Sequence, residues 1–122
     1  MEKLSVAIAD DNERVIDALG NILANDEEIE LVGKADDGEK IYAIIKEKQP
    51  DIVLLDLIMP KLDGLTVMEK VSMDKSIKKQ PKFIIITAIG QEGITEDAFV
   101  LGANYYIMKP FDRIDIIQRI KR

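Results

Sequence analysis

The 122-residue sequence contains no cysteine and no histidine. Those two absences exclude disulfide scaffolds, thiol nucleophiles, zinc fingers and every catalytic triad that uses an imidazole as base. Any covalent chemistry falls to Asp, Glu, Lys, Ser, Thr or Tyr. No apolar run approaches the roughly 18 residues of a membrane span. Met1-Glu2-Lys3 leads straight into a strand-like segment rather than a signal peptide, so a cytoplasmic protein without membrane association is expected. Basic residues are in the minority, 17 Lys and Arg against 23 Asp and Glu, for a formal charge of −6. Non-specific nucleic-acid binding needs a basic face, and this composition instead suits a protein that holds cations. Linkers, repeats and low-complexity tracts are also missing, and the length fits one domain with one core.

Short β-rich apolar runs alternate with helical patterns along the whole chain. Leu4 to Ala9 reads as a strand, and beyond Asp10-Asp11-Asn12 the residues Val15, Ile16, Leu19, Ile22 and Leu23 recur at helical spacing, with Asp11 or Asn12 as N-cap. Ile29 to Val32 forms a second strand; Asp37-Gly38 is a turn and cap before a helix with Ile41, Ile44 and Ile45 on one face. Ile52-Val53-Leu54-Leu55 is apolar on successive residues, as a central parallel strand covered on both faces requires. The breaker-rich loop Met59 to Gly64 precedes a helix marked by Leu65, Met68 and Val71. Phe83 to Ile86 is the fourth strand, followed by a helix with Ile94, Ala98 and Leu101 on one face. The last unit is Tyr105-Tyr106-Ile107, then a helix capped by Asp112 with Ile114, Ile117 and Ile120 inward. The lysine-rich segment from Asp74 to Lys82 reads as a solvated loop. Five strand-then-helix units in succession predict an α/β fold, a doubly wound parallel sheet with helices on both faces.

In an open α/β sheet, ligands bind beyond the carboxyl ends of the strands. The first strand ends in Asp10-Asp11, the third in Asp56, the fourth in Thr87 and the fifth in Met108-Lys109-Pro110. Each has an ordinary reading alone: an Asp after a strand caps a helix, a Thr forms a turn, a Lys is solvated. Their conjunction on one sheet edge is harder to explain by capping. Carboxylates held within a few ångström repel one another unless a cation sits among them. Mg²⁺ fits, because it takes oxygen ligands from one or two carboxylates plus phosphate oxygens. Lys109 supplies a second positive centre for an anion, Thr87 a hydroxyl donor, and a carboxylate remains as the nucleophile.

These residues, with Leu57-Ile58-Met59-Pro60-Lys61-Leu62-Asp63-Gly64, Thr87-Ala88 and Lys109-Pro110-Phe111, resemble the receiver domain of bacterial two-component response regulators over essentially the whole chain. Within that family, Thr87 to Glu92 and Leu101 to Asp112 look like the sporulation response regulators of endospore-forming bacteria. The resemblance implies a (βα)5 five-stranded parallel sheet, flavodoxin-like (CheY-like), with strand order 2-1-3-4-5. It makes Asp56 the phosphoacceptor for a phosphohistidine on a histidine kinase or histidine phosphotransferase. It makes Asp11, Asp56 and the Ile58 backbone carbonyl direct ligands of Mg²⁺ (Mn²⁺ or Ca²⁺ substituting), with Asp10 reaching the metal through water. Lys109 and Thr87 contact the phosphoryl oxygens, Pro60 and Gly64 shape the loop after the acceptor, and Pro110 follows a cis bond.

The same resemblance implies a signalling domain rather than an enzyme, whose output is a change of shape. Thr87 moves towards the phosphoryl group and Tyr106 turns inward, altering the surface from Gln91 to Arg122 for a partner or for phosphorylation-dependent homodimerisation. The chain then corresponds to the amino-terminal part of a longer transcription regulator, whose carboxyl-terminal domain binds DNA. Ile58 and Ile89 stand where many relatives carry polar groups that position a hydrolytic water, so a long-lived aspartyl phosphate is expected. The alternative from another class is a receiver-like interaction scaffold that takes no phosphate, against which the complete set Asp10, Asp11, Asp56, Thr87 and Lys109 argues. A third reading is a Mg²⁺-dependent phosphohydrolase with a carboxylate nucleophile, against which argue the lack of a cap insertion to enclose a substrate and of a second acid/base Asp two residues after Asp56, where Ile58 stands.

Overall fold

The computed structural model describes residues 3–121; Met1, Glu2 and Arg122, where the readings of the chain's start and end fall, lie outside the described residues. The elements alternate without exception: β1 (Leu4–Ala9), α1 (Glu13–Ala24), β2 (Ile29–Ala35), α2 (Gly38–Lys48), β3 (Ile52–Asp56), α3 (Gly64–Met73), β4 (Lys82–Thr87), α4 (Glu92–Val100), β5 (Tyr105–Met108) and α5 (Arg113–Lys121). All strand pairs are parallel and the sheet order is β2-β1-β3-β4-β5, the expected order 2-1-3-4-5.

The unbroken apolar run of β3 follows from its central place. Successive side chains of a strand point to opposite faces, so Val53 and Leu55 join a core with α2 and α3, while Ile52 and Leu54 join one with α1 and α5. Every residue of β3 is buried. Caps set where the helices begin. Asn12, rather than Asp11, caps α1 by accepting from the Arg14 N–H at 2.9 Å. Asp37 caps α2 and Asp63 caps α3 in the same way, and Asp112 Oδ1 accepts from the Asp115 N–H at 2.9 Å at the start of α5.

Three features differ from the sequence reading. Strand β2 runs on to Ala35 and carries a register shift opposite Val6 and Ala7, whose partners are Leu31 and Gly33. As an edge strand it is only partly covered, so its later half is not apolar enough to announce itself. In α4 the buried positions are Thr95 and Ala98, whereas Leu101 is the C-cap and is exposed. In α5 the inward residues are Ile116 and Ile120, and Ile114 is 64% exposed. An isoleucine at 114, 116, 117 and 120 satisfies two helical phases, and packing against the sheet selects the 116/120 pair. The segment after α3 is a loop, as expected, yet Ile77 within it is buried and Lys79 pairs with Asp51. No described helix is long and apolar enough to cross a membrane.

Candidate functional site

Strands β1 and β3 are neighbours, so the residues at their carboxyl ends meet. Asp10 follows β1, and its own N–H is fixed by the Ala35 carbonyl at 3.1 Å. Its side chain is fully buried. Oδ1 accepts from the Asn12 N–H at 2.9 Å, while Oδ2 lies 3.0 Å from Lys109 Nζ, at an angle that makes no hydrogen bond. Among the described residues it is the one buried side-chain polar atom lacking such a bond. Asp56, the last residue of β3, is buried and its Oδ1 accepts from the Ile58 N–H at 3.0 Å. Asp11 beside them is exposed. One carboxylate oxygen from each of Asp10, Asp11 and Asp56 lies within 4.8 Å of the others.

Burial pushes the Asp56 carboxyl up to about 6, and the Asp10 and Asp11 charges act in the same direction; the Ile58 N–H and the Lys109 ammonium oppose them. The cluster therefore carries more negative charge than its surroundings neutralise. A set of hard carboxylate oxygens, one of them buried with an unbonded lone pair, and one wall open to solvent at Asp11 fits an oxygen-seeking divalent cation.

Lys109 follows β5, its N–H bonded to the Thr87 carbonyl at 2.7 Å, and the Lys109-Pro110 peptide is cis. Thr87 ends β4 and is buried, but its hydroxyl is turned to α4. Thr87 Oγ1 lies 2.8 Å from Thr95 Oγ1, and Thr95 donates to the Gln91 carbonyl at 2.7 Å, which leaves Thr87 as the donor between the two threonines. The sequence reading missed Thr95. The signal was available as a polar residue on the face shared with Ala98, eight residues after Thr87.

Tyr106 is 47% exposed and meets Phe99 edge-on, with ring centroids 6.1 Å apart. Behind it is a cavity of about 210 Å³, lined by residues that include Thr87, Ala88, Thr95, Phe99, Tyr106 and Met108. Ile58 and Ile89 are both exposed, at 51% and 86%. The structure thus gathers Asp10, Asp11, Asp56 and Lys109 in one group, while Thr87 and Tyr106 both line one cavity.

A family model for the response regulator receiver domain matches residues 6–121. Solved structures agree. The signal receiver domain of the response regulator NarL from Mycobacterium tuberculosis is 29% identical with a TM-score of 0.89, over 99% of this chain and 95% of that one. CheY in a CheX-CheY-BeF3-Mg²⁺ complex from Borrelia burgdorferi is 32% identical with a TM-score of 0.84, over 98% and 87%. A LuxR-family DNA-binding response regulator from Staphylococcus aureus is 25% identical with a TM-score of 0.84, over 98% and 99%.

The raised Asp56 pKa has a consequence for stability. The folded state holds the proton up to about pH 6, whereas an unfolded Asp releases it near 3.8. Between these values the native state binds more protons, so stability falls as pH rises through the window. Asn at this position never acquires the charge. In metal-free buffer Asp56→Asn should be more stable than the parent by roughly 2–3 kcal/mol at pH 7, and the gap should close below about pH 4. Urea unfolding of both proteins across that range measures it; a gap independent of pH would contradict the assignment of repulsion and burial as its cause.

Proposed function

The chain belongs to the response regulator receiver domain family, and on that footing we propose that Asp56 is the phosphoacceptor, served by Asp10, Asp11, Thr87, Lys109 and the Ile58 carbonyl. The observation that carries this reading is the crowding of Asp10, Asp11 and Asp56 beside Lys109 at one sheet edge, with Asp56 buried and held by a single backbone donor. Asp11, Asp56 and the Ile58 carbonyl would hold Mg²⁺ directly, with Asp10 engaged through water. Bound there, the ion withdraws charge from the phosphoryl oxygens.

The Ile58 N–H occupies Asp56 Oδ1 and fixes the carboxylate, leaving Oδ2 to attack. That oxygen bonds to phosphorus as the phosphorus–nitrogen bond of a partner's phosphohistidine breaks; the electron pair stays on the imidazole, which takes up a proton. The donor is a histidine kinase or a histidine phosphotransferase. Lys109, paired with Asp10 beforehand, meets the new phosphoryl charge from one side. Thr87 then exchanges its Thr95 contact for a phosphoryl oxygen.

That exchange withdraws the Thr87 hydroxyl from α4 and frees the space into which Tyr106 turns. The affected face carries Phe99, Val100, Tyr105, Tyr106, Met108 and Ile114, all exposed. Burying the Tyr106 ring there changes what the face can bind, a population shift biased at Asp56. The face would serve a partner or a second phosphorylated copy. Two finer proposals rest on sequence resemblance: that the domain works in the cytoplasm as part of a sporulation regulator, and that it acts on transcription through a DNA-binding domain elsewhere in the protein. The Staphylococcus aureus match, described as a DNA-binding response regulator, supports the second.

Incubation with acetyl phosphate and Mg²⁺ tests the acceptor. One phosphoryl group per chain is expected, stable to acid, labile to base and absent from Asp56→Asn. No labelling would favour a phosphorylation-independent interaction scaffold. The exposed, branched Ile58 and Ile89 offer no hydrogen bond to an attacking water. The label should therefore outlast minutes without a phosphatase, and Ile58→Asn should shorten its lifetime severalfold. Complete loss within seconds in the parent would refute that role for the two isoleucines.

A further inference from the structure

Gly38 opens α2, and its φ is not among the positive values. Backbone conformation therefore gives no reason for a glycine there, and alanine would be the better helix former. The reason lies in another segment. A Cβ on Gly38 would stand far inside van der Waals contact distance of the Leu62 carbonyl oxygen and 2.6 Å from the Leu62 carbonyl carbon. Since the obstacle is backbone, it cannot swing aside like a long side chain.

Leu62 lies in the loop between β3 and α3, the loop that carries Ile58 away from Asp56. Its two ends are closed by Gly64, whose N–H donates to the Leu57 carbonyl at 2.8 Å and on which an added Cβ would stand only 2.7 Å from Leu57 Cα. Its middle is held by the turn before α2 in three ways. The Gly38 N–H donates to the Pro60 carbonyl at 3.3 Å, Leu62 rests on Gly38, and Lys61 Nζ lies 3.6 Å from Asp37 Oδ2. Lys61 has a φ of 69°, a left-handed conformation that a non-glycine residue adopts only when its surroundings hold it. Asp37 is buried and is already fixed as the α2 cap by the Lys40 N–H at 2.8 Å.

We infer that the Asp37-Gly38 turn is a positioning element for the cation site, setting the course of the β3–α3 loop and thereby the Ile58 backbone that holds Asp56 and offers a carbonyl to the metal. The inference rests on the reading of Asp10, Asp11, Asp56 and Ile58 as that site. With both loop ends closed, a push at Pro60–Leu62 has only the stretch from Ile58 to Lys61 through which to relax. Asp37 and Gly38 touch neither metal nor phosphoryl group, so they act through Ile58 alone.

Mg²⁺ titration by calorimetry, with the Ile58 amide resonance followed in parallel, tests this. Gly38→Ala should shift that resonance in metal-free protein and weaken Mg²⁺ by about tenfold or more, the size of effect seen when support for a metal ligand is lost. Asp37→Asn keeps the cap oxygen and removes the charge that faces Lys61 at 3.6 Å and, more distantly, Lys40 at 3.9 Å, and should weaken Mg²⁺ by about threefold. Gly93→Ala in α4, where an added Cβ meets nothing within 4 Å, is the comparator and should bind like the parent. A folded Gly38→Ala protein with parental affinity would overturn the inference; should that variant not fold, parental affinity in Asp37→Asn overturns it instead. A parent that binds no Mg²⁺ would refute the site itself, a failure visible before any variant is made.

Discussion

Repulsion among the carboxylates of Asp10, Asp11 and Asp56, crowded within 4.8 Å at the carboxyl ends of two adjacent strands, is the constraint around which this domain is arranged. Solvent does little to relieve it, because Asp10 and Asp56 are buried. The fold supplies partial remedies: the Lys109 ammonium against Asp10, and single backbone donors from Asn12 and Ile58. They do not suffice: the Asp56 pKa is raised, first by burial and then by the Asp10 and Asp11 charges, and Asp10 Oδ2 is unbonded. A site left short of positive charge favours a divalent cation, which is the condition that the proposed phosphoacceptor role of Asp56 requires.

The rest of the molecule can be understood as support for that cluster. Parallel pairing delivers Asp10, Asp56, Thr87 and Lys109 to one edge. Cores on both sheet faces hold β3 rigid, so Asp56 cannot retreat from its neighbours. Thr87 spends its hydroxyl on Thr95, linking the site to α4 and to the cavity under Tyr106. In the proposed switch, this contact is what would connect Asp56 to the exposed apolar face of α4 and β5.

Much of this was legible in the sequence because the relevant signals are local. The run Ile52–Leu55 is apolar on consecutive residues only because both faces are covered, and the strand-ending Asp10, Asp56 and Thr87 interrupt otherwise apolar segments. What escaped depended on contacts between distant segments. The phase of α5 was ambiguous until packing placed Ile116 inward, and Leu101 looked like a core residue until it proved to be a cap. Thr95 stood out only as a polar residue on the Ala98 face, and its partner, Thr87 on another element, was not marked by any local pattern. Gly38 was legible as a turn residue, whereas its necessity comes from Leu62, which no spacing rule connects to it.

The central claim is that the three carboxylates form one cation site whose occupation relieves native-state repulsion. Thermal unfolding at pH 7 in increasing Mg²⁺, for the parent and for Asp11→Asn, tests it most directly. A ligand that binds only the native state stabilises it in proportion to the logarithm of its concentration once binding saturates. The account predicts that the parent's melting temperature climbs in this way while that of Asp11→Asn stays nearly flat. A parent indifferent to Mg²⁺, or a variant that climbs equally, would contradict it.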